Sequence, residues 1–252
     1  MKRELLFKRP ILSAAGSMGF APDPRAAARW EDFGAFITNP ISLRPRPPAK
    51  RPALIEYPGG FLLHTGLPNS GLSAVLSKYA RRWERASLPI IVHLMADRPE
   101  ETARMVQMLE GLENIMAVEL GFAPLLADDI ILLALEMCRG EIPLIVSLPR
   151  DQLLRLGARS LAQGAEAISL AAPRGALKAR PDQGLTEGRL YGPSLFPQSL
   201  ELVSTAAKLG LPIIGAGGIW EPEQATAMLE AGALAAQVDA SLWSPKNKAP
   251  VK

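Results

Sequence analysis

Cysteine is almost absent. Cys138 is the single one in 252 residues, so no intrachain disulfide staples the fold, and a reducing compartment is expected. It falls in an apolar helical pattern at 128–139, where a packed core thiol is expected rather than a nucleophile. Histidine is scarce as well, with only His64 and His93, and no His/Cys/Asp spacing resembles a metal site. No run reaches about 18 apolar residues, and the opening Met1-Lys2-Arg3-Glu4-Leu5 lacks the apolar stretch of a secretory signal. A soluble, cytoplasmic protein is the expectation. The formal charge is only +3, part of it from a loop at 44–51 and from the terminal lysines, which leaves no footprint for nucleic acid. No low-complexity tract argues for disorder.

What the chain does have is apolar residue, 48% of the total, enough for a large core in one domain spanning residues 1–252. Short apolar runs at 10–16, 34–39, 89–95, 117–122, 143–148, 165–170, 212–215 and 234–238 read as strands. Helical spacing separates most of them: 24–31, 72–86, 99–112, 128–139, 150–163, 198–209 and 221–229. The later strands show no polar alternation, which means a parallel sheet covered by helices. Eight such units predict a closed (β/α)₈ TIM barrel. After Val238 only fourteen residues remain, broken by Pro245, so the eighth helix should be short or missing. The groove it would cover then falls to a partner, to the N-terminal segment, or to solvent. Residues 40–70 form a long Pro- and Arg-bearing segment with a hairpin expected around Pro58-Gly59-Gly60, and a Gly/Pro-containing loop is expected from 171 to 197.

The stretch Leu211-Pro212-Ile213-Ile214-Gly215-Ala216-Gly217-Gly218-Ile219 is a buried strand closed by glycines, and Ala235-Ala236-Gln237-Val238-Asp239 follows after a short helix. Strand, Gly-Gly, helix, strand is how phosphate-binding barrels end. Without Cβ atoms, Gly217 and Gly218 can aim N–H groups at an anion, or serve as turn formers only.

Several segments, in order over most of the chain, resemble the dihydroorotate dehydrogenase family. They are Ala15-Gly16; Gly34-Ala35-Phe36-Ile37-Thr38 with the Pro/Arg loop behind it; Gly66-Leu67-Pro68-Asn69-Ser70-Gly71; Gly188-Arg189-Leu190-Tyr191-Gly192-Pro193-Ser194-Leu195; and the closing units at 215–219 and 231–238. The resemblance implies an FMN-dependent barrel that oxidises dihydroorotate in pyrimidine synthesis, a flavoprotein oxidoreductase. It points to Ala15, Gly16, Thr38, Asn39, Ser147, Gly192, Gly217, Gly218 and Ala240 as the cofactor-binding positions.

The chain departs from the family where the chemistry lies. The family's proton-abstracting Cys or Ser belongs to the loop after the fourth strand, which here reads Glu119-Leu120-Gly121-Phe122-Ala123-Pro124-Leu125. Alignment on Pro124 places Ala123 at the base, and no Cys, Ser or Asn lies between 119 and 125, so this loop supplies no general base. The flavin-facing lysine after the fifth strand is Ser147, which cannot offset charge on a reduced ring. The lysine after the second strand is Asn39, and family amides become Leu63 and Ala171-Ala172. After the eighth strand the family's Gly-Thr or Gly-Ser is Asp239-Ala240. A carboxylate about 4 Å from a phosphate costs on the order of 4 kcal/mol at an effective dielectric near 20, several hundredfold in affinity. Asp239 therefore weakens FMN binding unless it turns to cap a backbone turn.

Two residues are candidates for a different chemistry. His64 precedes the Gly66-Leu67-Pro68-Asn69 stretch near a barrel mouth, where it is a catalytic candidate or a satisfied structural histidine. Glu119 sits among apolar neighbours on the fourth strand, and if it points inward burial should raise its pKa and make it an acid/base candidate. The loop with Arg44, Arg46, Lys50 and Arg51 is either a solvated face or an anion clamp. Three functions follow: a dihydroorotate dehydrogenase-like FMN oxidoreductase with altered or lost activity, a non-catalytic ligand-binding or partner-subunit barrel, or a lyase or isomerase acting on a phosphorylated metabolite. A small-molecule ligand carrying phosphate, and a homo-oligomer or partner subunit, are the expected associations.

Overall fold

The computed structural model describes residues 3–26, 28–180, 182 and 184–243. The chain begins with β1 (Ile11–Ser13) and β2 (Phe36–Ile37), then adds a hairpin of β3 (Ala53–Tyr57) and β4 (Gly60–His64). A regular alternation follows: α1 (Leu72–Glu84), β5 (Ile90–Ala96), α2 (Pro99–Gln107), β6 (Ile115–Phe122), α3 (Asp128–Met137), β7 (Leu144–Leu148), α4 (Arg150–Ala162) and β8 (Ala167–Leu170). An antiparallel pair, β9 (Arg174–Leu177) and β10 (Thr186–Tyr191), interrupts it. The chain then completes α5 (Phe196–Lys208), β11 (Ile213–Ala216), α6 (Pro222–Glu230) and β12 (Ala235–Val238).

Eight parallel strands run in the order β1-β12-β11-β8-β7-β6-β5-β2. The ring closes between its ends through a parallel bridge of Leu12 to Ala35, with Ile37 N–H donating to Ser13 Oγ at 2.9 Å. All eight expected strands are present in a TIM barrel. Every residue of β7, β8 and β11 is buried, as strands with one face inside a barrel and the other under helices must be. Leu12, Ile37, Ile91, Ala117, Ile145, Ala167, Ile214 and Ala235 pack as one inner cluster, closed by Leu5 and Phe7 of the N-terminal segment. That segment therefore plugs the inside of the barrel, anchored by Arg3 Nη1 donating to Ile115 O at 2.6 Å. Helix starts follow local chemistry. Pro99 opens α2 with Glu100 and Glu101 in its first turn, and Glu221 with Gln224 forms a capping box ahead of α6.

The helix expected at 24–31 does not form. The described residues there make turns and a single 3-10 turn at Trp30–Asp32. So short a segment nucleates poorly, and its main anchor is one side chain, Trp30, packed at a tilt against Phe33 and edge-on to Phe36. After β12 comes a 3-10 turn, Ala240–Trp243, and no α-helix follows among the described residues; the rest of the tail lies outside them. Trp243 packs with Phe61 and Tyr191 and donates Nε1–H to Ser17 O at 2.6 Å, so this turn folds over the barrel mouth.

The stretch expected as one loop from 171 to 197 is instead half of a second sheet. β3, β4, β10 and β9 form an antiparallel four-stranded sheet that arches beside the mouth. The expected hairpin around Pro58-Gly59-Gly60 is there, joining β3 to β4. Its turn lies directly against Gly192, which has φ +132°, and a Cβ there would run into Gly59 O and the Gly60 Cα. Gly192→Ala should cost at least ~2 kcal/mol and lower Tm by roughly 4–8 °C. Thermal unfolding checks this, and an unchanged Tm would contradict the close crossing.

Candidate functional site

The barrel interior changes character along its axis. Below lies the apolar inner cluster; above it stand His93 on β5, Glu119 on β6, Ser147 on β7, Ser169 on β8 and Gln237 on β12, all buried. Register places His93 beside Glu119 and Ser147 beside Ser169, so their side chains share the inner face. Glu119 is 1% exposed. Its Oε2 accepts from His93 Nδ1 at 2.6 Å and its Oε1 from Gln237 Nε2 at 2.7 Å. The Ser169 hydroxyl faces the same carboxylate. A Cβ at Gly121 would strike the His93 imidazole, so this glycine makes room for the pair.

The expectation that burial raises the Glu119 pKa is overturned. Burial alone pushes it up, but the hydrogen bond and charge of His93, with help from Ser169 and Gln237, bring it below the ordinary carboxylate value. An ionised Glu119 can only accept, which makes His93 Nδ1 the donor. The sequence reading missed Gln237 as the second partner; a lone amide in the apolar run of β12 was the available signal.

The cofactor positions implied by resemblance are distributed rather than gathered. Gly16, Asn39 and His64 line one cavity of about 270 Å³ at the barrel mouth, together with Arg46, Thr65, Arg174, Arg189 and Tyr191. Ala15 packs on the inner cluster. Thr38 Oγ1 accepts from His93 N–H at 3.0 Å, and Asn39 Oδ1 accepts from Gly19 N–H at 3.0 Å, so both serve the backbone. Ser147 lies deeper in the barrel, and Gly192 sits under the hairpin turn. Ala123 is exposed in the loop after β6, next to Leu125 with 99% of its surface free, and neither lines the cavity. Of the positive loop only Arg46 reaches the cavity, while Arg44 lies 3.8 Å from Glu101.

At the closing end of the barrel Gly217 and Gly218 adopt φ +94° and +78°. A Cβ on Gly218 would collide with the Phe196 backbone at the start of α5, so the turn packs tightly under that helix. After the neighbouring strand β12, the Ala240 N–H donates to the Oδ1 of Asp239. Burial pushes the Asp239 carboxyl from 3.8 up to about 6 despite this backbone hydrogen bond. Among the described residues no cluster of three or more His, Cys, Asp or Glu is placed to hold a metal, and no helix is long and apolar enough to cross a membrane.

A carboxyl whose folded pKa is raised binds its proton more readily in the native state, so its effect on stability is least unfavourable at low pH. Stability should fall as pH rises from about 4 through about 6, and a move from 3.8 to about 6 is worth on the order of 3 kcal/mol. Asp239→Asn keeps an acceptor for the Ala240 N–H without the charge. Denaturant unfolding should show the variant ~1–3 kcal/mol more stable at pH 7.5 and close to wild type at pH 4. An equal effect at both values would contradict the burial.

Comparison with known proteins bears on this geometry. A family model for dihydroorotate dehydrogenase matches residues 3–122. The dihydroorotate dehydrogenase B (NAD(+)) catalytic subunit of Pelobacter propionicus is 30% identical over 93% of this chain and 84% of its own length. That of Citrifermentans bemidjiense is 29% identical over 92% of this chain and 82% of its own. A dihydroorotate dehydrogenase from Eimeria tenella, solved in complex with ferulenol, superposes with a TM-score of 0.73 at 18% identity, covering 93% of this chain and 76% of that one. The same eight-stranded barrel and a 30% identical relative spanned over most of its length place the chain in the dihydroorotate dehydrogenase family.

Proposed function

We propose that this chain, read as one barrel domain over residues 1–252, is a family member that has given up flavin-dependent oxidation of dihydroorotate and acts as a ligand-binding barrel. One observation carries the reading. The Ala240 N–H, which follows β12 on the strand next to the one that Gly217 and Gly218 close, is occupied by the chain's own Asp239 carboxylate. An incoming phosphate would have to break that hydrogen bond and face a buried acid in its place. The residues present therefore do not fit FMN. Two further features support this. Asn39 and Ser147 carry no charge with which to offset a reduced ring. The Glu119 carboxylate is buried, paired with His93 and away from the cavity, which also speaks against a lyase or isomerase using it as base.

The second reading, an FMN oxidoreductase of altered substrate, draws on the left-handed Gly217-Gly218 turn and on the relatives' description as catalytic subunits. That same description supports a place for this chain in a larger assembly, beside a partner subunit or a second copy. The absorption spectrum of purified protein separates the two readings. The proposal expects no flavin band, and none after incubation with FMN and removal of the excess. A flavin band retained after the excess is removed would establish the second reading instead, whether or not dihydroorotate bleaches it.

A further inference from the structure

The inner face of the small sheet carries charge that the barrel does not explain. Arg174 of β9 and Arg189 of β10 are register partners in an antiparallel ladder, so their Cβ atoms stand about 5 Å apart on one face. Like charges directly opposite each other destabilise a sheet. Both line the mouth cavity, with Arg46 and His64 on its other walls. The lining contains no aspartate or glutamate. Among the described residues, no ion pair joins Arg46, Arg174 or Arg189 to a carboxylate.

Two of the three arginines are held from elsewhere. Arg46 Nε donates to Gly66 O at 2.6 Å, which fixes the guanidinium and leaves its outer N–H groups to the cavity. Arg189 lies beside Gly16 and interacts with the Tyr191 hydroxyl. Two hydrogen-bonded strands and a braced loop thus bring three permanent cations and a histidine to a single space. Arg46 and Arg174 are exposed and Arg189 is half-buried, so water screens part of their mutual repulsion; an anion in the cavity relieves the remainder by accepting paired N–H donors from planar guanidinium forks.

We infer that this cavity binds a small phosphate monoester. Opposed guanidinium groups suit a phosphate, whose several terminal oxygens can meet more than one fork at once. At about 270 Å³ the space equals roughly nine waters of ~30 Å³ each, enough for the phosphate and a short carbon skeleton. The inference rests on the proposed reading of a ligand-binding barrel without FMN, and it adds the class of ligand and the residues that take it.

Thermal unfolding and calorimetric titration of the full chain with inorganic phosphate and with glycerol phosphate test it, using Arg174→Gln, Arg189→Gln and, as control, the exposed Arg25→Gln. Wild type should bind saturably, with Tm raised by roughly 5–10 °C at a hundredfold excess over Kd. Each cavity variant should lose at least tenfold in affinity, while Arg25→Gln binds as wild type does. Ligand-free Arg174→Gln should melt no lower than wild type, because the cross-strand repulsion is gone. A merely structural arginine would lower it. No saturable response to either phosphate, or unchanged affinity in both cavity variants, overturns the inference. Tighter binding of malonate than of glycerol phosphate overturns the phosphate class. Flavin absorbance recorded on the same preparations keeps the two claims apart: bound FMN would defeat the proposed function, while arginine dependence alone decides this one.

Discussion

The Glu119 carboxylate lies inside an eight-stranded barrel with almost no surface open to water, and its charge dictates how the upper half of the interior is built. Glu119 stands on β6 and Gln237 on β12, strands separated by three others in either direction around the ring. Their hydrogen bond therefore spans the barrel, and His93 and Ser169 complete the shell from two more strands. An unpaired charge buried this deeply would cost several kcal/mol, so the four side chains stand or fall as a unit. Gly121 belongs to the same constraint, since its missing Cβ is the space the imidazole fills. A carboxylate held ionised by its own histidine, and outside the lining of the mouth cavity, braces the barrel interior.

A similar logic of internal satisfaction governs the closing end. A turn of left-handed glycines beside a backbone N–H is a natural anion cradle. Here the chain supplies its own acid: Asp239 fills the role with an oxygen from the preceding residue, and burial raises its pKa. The mouth shows the opposite imbalance. Arginines gather there from β9, β10 and the loop before β3 with no acid among them. The molecule thus combines an anion site closed from within and a cationic cavity left open. That contrast fits a family barrel whose binding function has moved from its closing strands to its small sheet.

Much of the frame was legible in the sequence. Apolar runs such as Pro143-Leu144-Ile145-Val146 are buried on both faces in a parallel sheet covered by helices, eight of them point to a barrel, and the Pro58-Gly59-Gly60 turn announces its hairpin. The short strands of the small sheet were not legible. In β9 and β10 the alternation of Arg174, Ala176, Glu187, Arg189 and Tyr191 is broken by glycines and by the turn between the strands, and their pairing with β4 is long-range. The segment at 24–31 misled for a related reason: helical spacing without a buried face to dock leaves a short helix nothing to hold it. Glu119 was found as a candidate, but its pKa direction is set chiefly by His93 on the neighbouring strand, with Ser169 and Gln237 adding to it, and only the barrel brings these side chains together. The Asp239 substitution was visible, whereas its hydrogen bond to the next residue's N–H was one of two possible dispositions until the fold placed it.

The claim on which the rest turns is that Asp239 excludes the flavin phosphate by occupying its place. Titration of FMN into wild type and Asp239→Gly, followed by quenching of flavin fluorescence, measures this directly. Wild type should show no saturable binding at neutral pH, and the glycine variant should bind at least a hundredfold tighter than any residual wild-type binding. Tight FMN binding by wild type, unaltered by the substitution, would contradict it.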